Sequence, residues 1–71
     1  MQGYDLAKKY FEAAMDEAKT CRFDTDAIAR YMLQLVVHQY LKSRSVADVQ
    51  SELRFVADNC DPQTDYMFMR P

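Results

Sequence analysis

The chain has 71 residues, of which 49% are hydrophobic and 28% charged, with one Gly and two Pro. That composition makes one small globular domain and excludes a collagenous, low-complexity or disordered chain. Nine Lys and Arg against eleven Asp and Glu leave a formal net charge of −2 and no basic tract. A sequence-independent grip on nucleic acid is therefore disfavoured, because that affinity comes mainly from cations that displace phosphate counterions. At 8.3 kDa a folded chain buries only about 60% of its extended surface, so the core is thin and gains from a partner.

The first residues, Met1-Gln2-Gly3-Tyr4-Asp5, bring an acid early and no apolar run before Lys8, so neither a signal nor a transit peptide is expected. No stretch is long and apolar enough to span a bilayer. Cys21 and Cys60 are far apart in sequence, with no C-x-x-C, and only His38 could join them as a soft ligand. A zinc site would lack its fourth ligand. Free thiols in a reducing, cytoplasmic setting are the expectation, with no membrane contact and no cofactor.

Gly3, Pro62 and Pro71 are the only strong helix breakers, so helices are predicted from residue 4 to residue 60. The first spans about 4–21: Leu6, Ala7, Tyr10, Phe11, Ala13, Ala14, Ala18 and Cys21 share one side, with Asp5, Lys8, Lys9, Glu12, Asp16 and Lys19 opposite. Asp5 and Lys9 have the favourable i,i+4 spacing of an ion pair. Glu17 interrupts the apolar arc. Asp24 or Thr25 can cap a second helix over about 25–42. Its apolar arc, from Ile28 to Tyr40, covers about two thirds of the circumference and leaves a narrow polar stripe of Arg30, Gln34 and His38. Such a helix needs neighbours on two sides.

Ser45, followed three residues on by Asp48, resembles a capping box that opens a third helix over about 46–59. Val46, Val49, Leu53, Val56, Ala57 and Cys60 form its apolar stripe, with Phe55 pointing away. Asp61-Pro62 ends it, and a tail over 61–71 carries Tyr66-Met67-Phe68-Met69, more apolar than disordered tails usually are. The fold expected is an all-α, up-down-up three-helix bundle in a single domain. Its core would hold Tyr10, Phe11, Ile28, Leu33, Val36, Val37, Val49 and Leu53. In that topology Cys21 and Cys60 come to the same pole.

Catalysis needs convergent groups, and here they are few. His38 is the sole imidazole and sits on a polar stripe, so it reads as a solvated side chain. Glu-x-x-His pairs are absent, and Asp61, Gln63 and Asp65 are followed by Tyr66 where a calcium loop requires Gly. With a single Gly, a phosphate-cradling loop cannot be built. The second helix, Ser43-Arg44-Ser45 and the third helix have the spacing of a helix-turn-helix. Asp48 and Glu52 would nevertheless face the phosphates, offset only by Lys42, Arg44 and Arg54.

What is left is apolar surface without an obvious home. Gln39 lies within the second helix's apolar arc, where a buried amide would need a partner, as at a specifying position of a helical interface. Phe55, Tyr66, Met67, Phe68 and Met69 are further candidates for protein contact. The function expected is that of a small, acidic, non-enzymatic protein-interaction module, acting as a homodimer or as a regulator or inhibitor of a larger protein. The alternatives are a helix-turn-helix DNA-binding regulator, or an accessory subunit completing a partner's site.

Overall fold

The computed structural model describes residues 2–61. Three helices occupy most of them, α1 (Gly3–Thr20), α2 (Thr25–Leu41) and α3 (Val46–Asp58), of 18, 17 and 13 residues. No strand occurs among the described residues. The protein is all-α, and each helix boundary lies within one residue of the sequence expectation. The apolar tail with Tyr66, Met67, Phe68 and Met69 lies outside the described residues.

Local chemistry explains each boundary. At the start of α1 the Asp5 carboxylate accepts from the Gln2 backbone N–H at 3.2 Å, satisfying a donor that the helix itself cannot. Asp5 thus turns back to the N-terminus instead of reaching Lys9, and the i,i+4 ion pair on this helix is Lys8 with Glu12 at 3.7 Å. α1 stops in a Schellman arrangement: Phe23 N–H donates to the Ala18 carbonyl at 2.8 Å and Arg22 N–H to the Lys19 carbonyl at 3.2 Å. Arg22 supplies the left-handed residue, at φ 61°, where glycine is the usual occupant.

Asp24 caps α2, its Oδ1 accepting from Asp26 N–H at 3.1 Å, and Asp26 pairs in turn with Arg30. At α3 the Ser45 hydroxyl accepts from Asp48 N–H at 3.1 Å. The reciprocal half of a capping box is replaced, because the Asp48 carboxylate accepts from Arg44. Asn59 closes α3, its side-chain amide donating to the Phe55 carbonyl at 2.8 Å.

The described residues form two compact units divided between Leu35 and Val36. In the first, Ala18 is buried, at 3% exposure, and Ala14, Met15, Thr25, Ala27, Ile28, Ala29 and Met32 are half-buried. Half of these eight are alanines, and small side chains let helix axes approach while leaving bulkier ones outside. In the second, Val49 is buried, at 3% exposure, among half-buried Val37, Tyr40, Arg44, Glu52, Leu53, Phe55, Val56 and Asn59.

The expected core needs correction. Val49 is buried and Ile28, Val37 and Leu53 are half-buried, but Tyr10, Phe11, Leu33 and Val36 are exposed. The reason is geometric. A helix contact covers a stripe about 100° wide, and α1 and α2 carry more apolar circumference than such contacts can cover. Cys21 and Cys60, expected on the apolar sides of the first and third helices, are exposed free thiols. Phe55, expected to point away from the packed stripe, is half-buried, because the covered face of α3 is turned toward Glu52 and Asn59.

Candidate functional site

Two features stand out, a polar knot at the α2–α3 turn and an exposed apolar face on the first unit. The knot is built by sequence proximity. Arg44 Nε donates to Asp48, and its Nη2 reaches Glu52 Oε1 at 2.9 Å. Its guanidinium carbon lies 4.6 Å from the centre of the Tyr40 ring. With Arg44 and Glu52 side chains both about one-fifth exposed, the fork geometry of arginine is used in full, on two carboxylates and one ring. These partners hold the Arg44 guanidinium well above its ordinary pKa, Asp48 and Glu52 acting through hydrogen bonds. The Tyr40 phenol is also raised, first by its hydrogen bond to Glu52 and then by burial.

Chemically the knot fixes a turn and leaves little over. Arg44 is committed to two carboxylates, so of the three cations that a helix-turn-helix could turn toward phosphate, it is withdrawn. His38 is exposed in the last turn of α2, as a solvated imidazole should be. No group of three or more His, Cys, Asp or Glu residues that could hold a metal occurs among the described residues. Among the described residues no helix is long and apolar enough to cross a membrane.

The apolar face begins where the α1 packing stops. Residues 2–13 are all exposed, although Ala7 and Phe11 continue the line of Ala14 and Ala18 at helical spacing. Leu6 and Tyr10 lie beside that line, at 48% and 62% exposure, and on α2 Tyr31 and Leu35 are at 61% and 64%. Lys9 extends over the Tyr10 ring at 5.4 Å, its ammonium against the ring's negative face. Phe23, at the tip of the turn, is exposed too.

Of the residues that sequence reasoning put forward for protein contact, Gln39 is exposed on α2 and Phe55 is half-buried on α3. The remaining four lie beyond the described residues. Of the exposed residues Leu6, Tyr10, Tyr31 and Leu35, periodicity places all four on apolar arcs and Tyr10 in the expected core, and none of them among the candidates for protein contact. The available signal was the width of the apolar arcs on α1 and α2 against the two short neighbours able to cover them. No family model, no curated protein and no solved structure matches this chain.

Proposed function

We propose that this protein works as a small protein-interaction module, without chemistry of its own, as a homodimer or as a regulator or inhibitor of a larger protein. The observation that supports the reading is the run of large apolar side chains left in water on α1 and α2, with Tyr10, Tyr31 and Leu35 each more than half exposed. Contiguous exposed apolar patches are characteristic of surfaces that meet another macromolecule. Leucine and tyrosine are also suited to the task, the ring supplying broad contact area while its hydroxyl stays hydrated.

The test is capture. Tagged wild-type chain is compared with Tyr10→Lys and Leu35→Glu variants, after circular dichroism shows the helices intact. Association of the wild type, with itself or with a captured protein, that both variants lose is the expected result. A wild-type chain that sediments as a monomer at high micromolar concentration and retains nothing from a lysate of its source cells contradicts the proposal.

A further inference from the structure

We infer that the occupant of this face is a second copy of the chain, two α1–α2 hairpins stacking into a four-helix bundle; this rests on the interaction reading above and names its partner. The face is assembled by helix geometry. At about 100° per residue, Leu6 and Tyr10 trail the buried α1 stripe of Ala14, Met15 and Ala18 by roughly a quarter to a third of a turn. Tyr31 and Leu35 trail the half-buried α2 stripe of Ile28, Ala29 and Met32 in the same rotational sense. A four-residue connection, 21–24, makes the two helices antiparallel neighbours, and in an antiparallel pair side chains offset in the same sense emerge on the same face. All four side chains therefore share one side of the hairpin. Val37 and Tyr40, which are half-buried, lie on the other flank of α2.

The pattern on that side is self-complementary. Tyr10 precedes the connection by the same number of residues as Leu35 follows it, so the two sit at one level, one on each helix. A two-fold axis running along the helices between them lays each α1 over the second copy's α2. Each Tyr10 ring then lies on the opposing Leu35. Isologous pairing of this kind requires that a residue and its partner exchange roles, and a ring opposite an aliphatic side chain does so twice. No Asp or Glu falls within the face between Leu6 and Tyr10 or between Tyr31 and Leu35, and Lys9, whose ammonium lies over the Tyr10 ring at 5.4 Å, has a flexible stem that lets the charge turn back to water when the ring is covered. Two tyrosines and two leucines at these exposures offer on the order of 450 Å² per copy, taking about 200 Å² for a whole aromatic side chain. With the smaller side chains between them, a pair reaches about 1,000 Å², the lower bound for a specific interface. The dimer expected is correspondingly weak, with Kd on the order of tens of micromolar.

Sedimentation equilibrium on the full chain tests it, with Tyr10→Lys and Leu35→Glu measured separately and then mixed. The wild type is expected to be in monomer–dimer exchange, and each variant alone to dimerise at least about tenfold more weakly, as for loss of a central contact. The mixture is the decisive arm. The lysine of one variant meets the glutamate of the other, while the second Tyr10–Leu35 contact stays native, so a heterodimer recovers most of the wild-type affinity. Val46→Lys, on an exposed apolar residue of α3, should leave the dimer unchanged. A wild type that is monomeric at several hundred micromolar overturns the inference, as does a dimer indifferent to both variants or a mixture no tighter than its components. If the monomeric wild type still captures another protein that the variants do not, the interaction reading survives and only the second copy is excluded.

Discussion

Arg22 and Tyr40 show how single residues carry the fold's constraints. Arg22 holds a left-handed conformation, φ 61°, that costs an L-residue with a Cβ roughly 1–2 kcal/mol and glycine little. Arg22→Gly should therefore raise stability by about 0.5–1 kcal/mol once glycine's greater unfolded-state freedom is subtracted, read as a higher urea midpoint at unchanged slope. Tyr40 is an acid whose folded pKa is raised by its hydrogen bond to Glu52 and by burial. The folded state then holds that proton more tightly than the unfolded state does. Its contribution is full below the ordinary tyrosine value near 10 and is lost as pH rises through the folded pKa. Tyr40→Phe should cost about 0.5–1 kcal/mol at neutral pH and flatten the alkaline arm of the stability profile. An equally steep alkaline decline in Tyr40→Phe would place its origin elsewhere.

Individual elements were legible in the sequence where the signal is local. Ser45 announces a helix start by residue type and spacing, and of the two candidates Asp24 and Thr25 it is Asp24 that caps α2; the two caps accept from the Asp48 and Asp26 amides respectively. Ser45→Ala should lower stability by about 1 kcal/mol, the ordinary worth of an N-cap, measured by urea or thermal unfolding. The Schellman end of α1 was not legible, because its left-handed position holds Arg22 rather than glycine. Which face of α3 is covered was also misread. Counting apolar residues centres the stripe near Leu53. Glu52 is half-buried because Arg44 and Tyr40 satisfy its carboxylate, so the covered face turns toward Phe55. Val49 stays at the centre under either count, and Val49→Ala should cost about 2 kcal/mol, from lost burial plus a residual cavity.

For the whole molecule, periodicity identifies which side of a helix is apolar but not whether enough neighbours exist to cover it. Tyr10, Phe11, Leu33 and Val36 were assigned to a core by side, and they lie in water because contacts built around Ala14, Ala18, Ala27 and Ala29 leave bulkier groups outside. Tyr10 and Leu35 belong to a surface the fold does not need. Urea unfolding of the Tyr10→Ser, Leu35→Ser double variant tests this most directly, at a low micromolar concentration where wild type and variant are both monomeric. A stability within about 0.5 kcal/mol per site of the wild type is expected, as for exposed positions. A loss of about 2–5 kcal/mol per site, the cost of emptying a core position, would contradict it.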